Sequence, residues 1–322
     1  MSTPNSSLLA QRPPLALIAG PTASGKSDLA VRLALTLKAQ GREAVVINAD
    51  SAQVYADLAV LSARPSADDM QGIEHRLFGT WDGASACSAA DWAAAARDVI
   101  AEVHARGAVP ILVGGTGLYI RTLLDGIAPV PAIDQAVREA VRALPTAEAY
   151  TALVGEDPAR AALLAPADSA RIARALEVVR STGQSLAHWQ AHLSGGIGEN
   201  VTLHPAVLLP PRAWVYARCD ARFAQMLQHG ASQEVAALVA RGLDPDFPVM
   251  RAIGMAEVAA MLRAECTKAE AEARGAQATR NYAKRQFTWL RNQLAPEWQR
   301  VEEICYDVDA LFVSLLRDCR LT

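Results

Sequence analysis

The sequence holds little that would tie it to a membrane, a disulfide scaffold or bulk coating of nucleic acid. Its 31 Lys and Arg are outnumbered by 34 Asp and Glu, leaving a formal net charge of −3. A chain so balanced does not gather nucleic acid by its overall field, so any such contact has to come from local Lys/Arg clusters. Five cysteines (Cys87, Cys219, Cys266, Cys305, Cys319) are scattered and contain no CxxC pair. That pattern fits neither a disulfide framework nor a zinc site, and it suits a reducing cytoplasm. The opening residues, MSTPNSSLLAQRPP, lack the apolar core of a secretory leader. Residues 109–120, the most apolar stretch near the middle, are too few and too glycine-rich to span a bilayer. No internal repeat or low-complexity tail is present. What remains is 322 residues, 51% apolar and 20% charged, enough for a substantial core in one large or two ordinary domains. The expectation is a soluble, cytoplasmic protein acting as a monomer.

The pattern along the chain predicts an α/β fold. LALIA (residues 15–19) reads as a buried strand, followed by a glycine-bearing turn and a helix with Leu29, Leu33 and Leu37 on one face, stopped by Gly41. AVVIN (44–48) is a second strand, ending at Asp50. A further helix aligns Trp92, Val99, Ile100 and Val103, Gly107 stops it, and the strand VPILV leads into GGTGLY. Strands alternating with helices across short glycine turns indicate a parallel sheet with helices on its faces. After Gly126 the character changes: IAPVPAI (127–133) reads as a linker, and helical patterns follow without a convincing strand until residues 206–209. The expected organisation is therefore a catalytic α/β core from residues 1–125 and 206–322, with a small helical insertion at 126–205. In the insertion, Ile172, Ala175, Leu176 and Val179 form one stripe and Gly183 ends the helix. Helical patterns at 213–229, 231–241 and 268–294 close the chain.

Gly20-Pro21-Thr22-Ala23-Ser24-Gly25-Lys26-Ser27 matches GxxxxGK[ST] in full, in the strand–loop–helix context such a P-loop requires. Its glycines let backbone N–H groups converge on phosphate oxygens at the positive end of the following helix. Lys26 supplies a point charge and the Ser27 hydroxyl suits Mg²⁺. The loop does not say which phosphate compound it holds. An ATP-binding small-molecule kinase is one reading, and a transferase with diphosphate as its leaving group is another. A noncatalytic RNA-binding NTPase, with Asp50 only holding metal, is a third.

Asp50-Ser51-Ala52-Gln53-Val54-Tyr55 follows the second strand, at the sheet edge where open α/β folds place their ligand crevice. Asp50 could bind magnesium, take a proton from a nucleophile or cap a helix. Gly114-Gly115-Thr116-Gly117 ends another parallel strand at the same rim, and Thr116 offers a hydroxyl; a plain tight turn would read alike.

GPTASGKS, DSAQVY and GGTGLY, in that order and spacing, resemble the tRNA dimethylallyltransferase family. The resemblance continues through RIARALEV (171–178), RAIGM (251–255) and YAKRQFTWLR (282–291). It implies transfer of a dimethylallyl group from dimethylallyl diphosphate to N6 of the adenosine 3′ of the anticodon, in tRNAs reading codons that begin with U. An exocyclic adenine amine is a poor nucleophile and needs a base, a role Asp50 fits. Lys26 and Mg²⁺ would stabilise the departing diphosphate. By the same resemblance Thr116 helps position the amine and Arg222 reaches the diphosphate; Arg218, four residues earlier, shares its helix face. The tRNA-binding positions fall on Asp50, Ser51, Ala52, Gln53, Thr116, Arg138, Ala170, Arg171, Arg174, Arg251, Gly254, Lys284, Arg285, Gln286 and Arg291. Helical spacing puts Arg280, Lys284 and Arg291 on one stripe with Phe287 beside it, a pattern that suits backbone contact plus stacking and equally an exposed salt-bridging helix. The adenine has to leave its stack to reach a buried carboxylate, and the insertion would grip the anticodon stem-loop. Departures from the family pattern are Ser62-Ala63-Arg64-Pro65, His75-Arg76 and Met255 in place of an aromatic. A branch prenylating free adenine nucleotides is a further alternative, which the insertion and the YAKRQFTWLR block disfavour.

Overall fold

A computed structural model describes residues 12–321; the opening segment expected to lack a leader's apolar core lies largely outside them. Contacts divide the chain into two compact units, Met1–Leu123 with Gly198–Thr322, and Leu124–Ile197.

The first unit opens with β1 (Pro14–Ala19), α1 (Lys26–Ala39), β2 (Ala44–Asn48), the short α2 (Ala67–Met70), β3 (Glu74–Arg76), α3 (Ala89–Ala105), β4 (Val109–Gly114) and α4 (Gly117–Asp125). The second unit holds α5 (Gln135–Arg142), α6 (Thr146–Glu156), α7 (Pro158–Ala161), α8 (Ser169–Thr182) and α9 (Leu186–Gln190). The chain then adds β5 (Thr202–Leu208), α10 (Arg212–Gln228), α11 (Ala231–Ala240), α12 (Met255–Leu262), α13 (Lys268–Gln293), β6 (Gln299–Val301), α14 (Val308–Leu311) and α15 (Val313–Leu321).

The strands form one parallel sheet in the order β3-β2-β4-β1-β5-β6. Strands covered on both faces must be apolar throughout, and β1, β2 and β4 are buried almost end to end for that reason. Leu29, Leu33 and Leu37 of α1 pack on Ile18, Val46 and Ile111, joined by Phe312 and Leu315 from the last helices. Ser88 starts α3 through a reciprocal capping box with Asp91, and Thr267 starts α13 with Glu270 in the same way. Small residues (Ala271, Gly275, Ala276, Ala283) make much of the buried stripe of α13, so α10 packs close against it.

The boundary expected at 205 falls inside β5. Thr202-Leu203-His204-Pro205 lacks the apolar run that marks a strand, yet it pairs with β1 from Pro14↔Thr202 onward. His204 is accommodated there by a 3.0 Å hydrogen bond between Nδ1 and Ser314 Oγ. In the helical unit, Ile172, Ala175 and Leu176 of α8 pack on Val141, Ala149 and Leu153, with Val179 only half-buried. Glu177 is buried on the same helix and receives Arg142 at 3.0 Å. Among the described residues no helix is long and apolar enough to cross a membrane.

Candidate active site

Residues 20–27 join the end of β1 to α1, and their shape is fixed from outside as well as within. Thr22 N–H donates to Gln286 Oε1 (2.7 Å), Arg218 Nε donates to Ala23 O (2.9 Å) and Gly20 N–H donates to Gly114 O (3.2 Å). Ala23 sits at φ 63°, a left-handed conformation unfavourable for a β-carbon, so these contacts hold the loop against local preference. Ser24 Oγ is buried without a hydrogen-bond partner among the described residues. Lys26 is only 7% exposed, and among the described residues its Nζ donates to Pro21 O at 3.4 Å. Burial lowers the Lys26 pKa; Asp50 opposes that shift and Arg222 adds to it. Arg222 is itself pushed down by burial and by Arg218. A buried and a half-buried cation lining one cavity make a pocket suited to a multiply charged anion.

Asp50 follows β2, where the Asn48 side chain braces the turn: Asp50 N–H donates to Oδ1 (2.9 Å), and Nδ2 donates to Asp50 O (3.0 Å) and Leu77 O (3.1 Å). Trp92 Nε1 closes the group on Asn48 O (2.9 Å). One Asp50 oxygen accepts Ala52 N–H at 3.1 Å. Thr116 lies opposite, accepting Ser51 N–H (2.9 Å) and donating to Ser51 Oγ (3.2 Å). Tyr282 of α13 stands near Thr116 and Asp50, and burial, with Asp50 nearby, raises its phenol pKa.

Two cavities flank this group. A polar one of about 930 Å³ runs along residues 22–28 and reaches His75 and Arg64; a smaller one of about 290 Å³ is bounded by Tyr55, Leu58, Leu61, Phe223, Tyr282 and Arg285. Both are walled by Thr22, Asp50, Ser62, Ala63, Arg222 and Met226. The sheet's carboxyl edge thus brings Lys26, Asp50, Thr116 and Arg222 together from four separate elements.

Several residues expected to contact RNA are held by bonds or packing within the protein. Gln286 is 5% exposed and bridges the loop to the GGTG turn, with Nε2 donating to Gly115 O at 3.0 Å. Gln53 is buried and donates to Ser62 O (3.0 Å) and Ala63 O (2.9 Å). Gly254 is buried as the N-cap of α12. Phe287, expected to stack, is covered and lies beneath Arg212 at 5.6 Å, while Arg280 is tied to Asp220. Gln286 and Phe287 face inward because they share the buried stripe of α13 with Ala271, Gly275, Ala276 and Ala283.

Arg251, Lys284, Arg285 and Arg291 are exposed, and Arg251 and Arg285 line the smaller cavity. Ser51 and Ala52 line it too. Arg138, Ala170, Arg171 and Arg174 belong to the helical unit; the last three are exposed on α8, Arg171 3.4 Å from Asp168 and Arg174 3.9 Å from Glu177. Arg64 donates to Tyr55 O at 3.2 Å, and Met255 is buried. Sequence reasoning passed over Tyr282, Asn48, Phe223 and Glu234. Only Tyr282 carried a signal, standing one helical turn before Gln286 on the same face.

A family model described as IPP transferase matches residues 53–293. A tRNA dimethylallyltransferase of Erythrobacter litoralis is 63% identical over 307 residues, covering 95% of this chain and 97% of that protein. One from Zymomonas mobilis is 50% identical, covering 89% and 91% respectively. Among solved structures, the tRNA isopentenylpyrophosphate transferase of Bacillus halodurans superposes with a TM-score of 0.67 at 30% identity, over 96% of both chains. A eukaryotic dimethylallyltransferase acting on tRNA gives 0.74 at 26% identity, over 88% of this chain and 71% of that one. With matches of this extent, the chain belongs to the IPP transferase family.

Proposed function

We propose that this transferase moves a dimethylallyl group from dimethylallyl diphosphate to N6 of the adenosine 3′ of the anticodon, in tRNAs reading codons that begin with U. The observation that carries the reading is the shared wall of the two cavities, where Asp50 and the half-buried Arg222 stand together, with the buried Lys26 lining the polar cavity beside them. Diphosphate lies in the polar cavity on the loop's N–H groups, Lys26 and the unpartnered Ser24 hydroxyl. The adenine enters the smaller cavity from the side of Arg251 and Arg285, its amine meeting Asp50 and Thr116. The N6–C1 bond forms as the C1–O bond to diphosphate breaks, and the amine proton passes to the Asp50 carboxylate. Lys26 and Arg222 stabilise the charge that leaves with the diphosphate. Exposed Arg171 and Arg174 suit contacts to RNA phosphates.

The donor set fits Mg²⁺. No three His, Cys, Asp or Glu side chains cluster among the described residues, and Mg²⁺ takes few protein ligands, relying on substrate phosphates and water. Ser27 would hold it; when bound it neutralises phosphate charge. The names of the relatives support tRNA prenyl transfer over the kinase reading. The test is incubation with unmodified tRNA, Mg²⁺ and dimethylallyl diphosphate, followed by nucleoside mass analysis. A prenyl mass gain on adenosine without ATP is expected; a requirement for ATP, or a gain on free nucleotide alone, overturns the reading.

A further inference from the structure

The apolar end of the smaller cavity is closed by Leu58, Leu61, Phe223 and Met226. Phe223 and Met226 follow Arg222 on α10, so the cation at the shared wall and the side chains that close the apolar end are carried by one stretch of helix. The Phe223 ring, 2% exposed, is seated on two glycines from different elements. A Cβ at Gly275 of α13 would lie 2.0 Å from its Cζ and 2.2 Å from its Cε1. A Cβ at Gly254 would lie 2.9 Å from its Cε2, and 2.9 Å from Leu61 Cδ2. No side-chain carbon tolerates such distances, so the depth of the ring depends on two missing methyl groups. Glycine inside a helix is entropically unfavourable, and here the ring fills the space it leaves. The facing wall is pinned as well: Ala59, Val60 and Leu61 donate their N–H groups to the Glu234 carboxylate at 2.6, 2.7 and 2.8 Å.

We infer that Phe223, at the depth Gly254 and Gly275 allow, is the specificity-determining residue that limits the prenyl chain to five carbons. The inference rests on the reading that diphosphate occupies the polar cavity. With the leaving group beside Arg222, the first carbon of the donor lies at the shared wall, and its tail runs along the side chains that follow on α10. The purine takes the other end, where Ser51, Tyr282 and Arg285 supply polar groups beside Asp50. A second isoprene unit would meet the ring. Misfit in an apolar pocket costs roughly 10- to 200-fold per methylene, enough for near-exclusive use of the shorter donor.

The experiment offers the full chain unmodified tRNA with an equimolar mixture of dimethylallyl and geranyl diphosphate, and reads the ratio of ten-carbon to five-carbon adenosine by mass. Phe223→Leu is expected to raise that ratio about tenfold or more. Gly275→Ala, which drives the ring into the cavity, is expected to raise KM for dimethylallyl diphosphate and leave KM for tRNA unchanged. A merely structural role would depress both products together. An unmoved ratio with five-carbon transfer retained overturns the inference, as does a rise in KM for tRNA in place of the donor. For a variant without turnover, calorimetric titration of the two diphosphates in the absence of tRNA reads the same preference, and a ratio of affinities equal to the parent's overturns it. A parent that prenylates tRNA with neither donor overturns the reaction itself; a working parent whose selectivity Phe223→Leu leaves intact overturns the gauge alone.

Discussion

On the polar side of the site, residues 20–27 present their backbone and Lys26 from one continuous turn, braced by Arg218 and Gln286. On the apolar side the wall is assembled from residues 58–61, 223–226 and 248–253, and the glycines that seat Phe223 come from two further places. The requirements differ in kind. Phosphate oxygens need converging N–H donors at fixed angles, which consecutive residues supply most simply. An apolar tail needs only volume and shape, which side chains from any part of the chain can provide. The polar side should therefore respond to substitution in rate, and the apolar side in choice of donor.

The largest effect that separates the two sides is expected at Asp50 and Lys26. Asp50→Ala removes the proton acceptor, for a loss in kcat on the order of 10²–10⁴, while tRNA affinity measured by filter binding stays near that of the parent. Lys26→Ala removes a charge facing the leaving group and costs on the order of 10²–10³ in kcat. A variant at Asp50 with full turnover would remove it as the base. If Lys26→Ala changed donor length preference rather than rate, the division between the two sides would fail.

Gln286→Ala comes next. It strips a partner from Thr22 N–H and from Gly115 C=O, each worth about 1–3 kcal/mol when left unpaired inside the protein. Urea unfolding should show a loss of about 2–6 kcal/mol for the two groups together, and donor KM should rise because the loop is no longer fixed. Gln286→Glu keeps the acceptor for Thr22 N–H while setting a carboxylate against the Gly115 carbonyl, so it should restore only part of the donor affinity. Stability lost with donor KM unmoved would reduce Gln286 to a structural brace. Glu234→Gln is the counterpart on the apolar side. Three N–H groups share its two oxygens, and the amide offers only one oxygen in return, for a cost of about 1–3 kcal/mol. A lowered Tm with relaxed donor length and little change in kcat is expected; a fall in kcat alone would contradict the partition.

The same contrast explains what could be read from the sequence. The strand–loop–helix order, Lys26, Asp50 and Thr116 are legible because each lies in the connection that follows an apolar strand, Lys26 and Thr116 in glycine-bearing turns. Gln286, Gln53 and Gly254, expected as RNA contacts, are buried: Gln286 lies on the Ala/Gly-rich buried stripe of α13, which a hydrophobic period scarcely registers, whereas Gln53 is held by Ser62 O and Ala63 O and Gly254 caps α12. The start of β5 was missed because Thr202 to Pro205 carries no strand-like run and depends on pairing with β1. Phe223 and Glu234 were invisible for a different reason. Their partners, Gly275 and residues 59–61, lie far off in sequence, and nothing local marks such a meeting.

The smallest expected effect uses two histidines to compare the ligand-facing polar cavity with a buried structural position. Burial lowers the pKa of His75, which lines the polar cavity, and of His204, which is set in β5; contact with Ile73 O and Asp318 respectively offsets that only in part. Both folded values thus lie below the ordinary 6.5. As pH falls through that value the unfolded chain takes up protons before the folded one, so stability rises with pH across the window and is lost on acidification. Tm should therefore fall as pH drops below about 6.5. Saturating pyrophosphate should flatten the part due to His75, because an anion in that cavity favours the charged imidazole, while the part due to His204 persists. His75→Asn should leave a Tm–pH slope that pyrophosphate no longer changes. A slope that pyrophosphate still flattens in that variant would mean that a group other than His75 senses the anion, and the polar cavity would then extend its electrostatic reach further than its walls suggest.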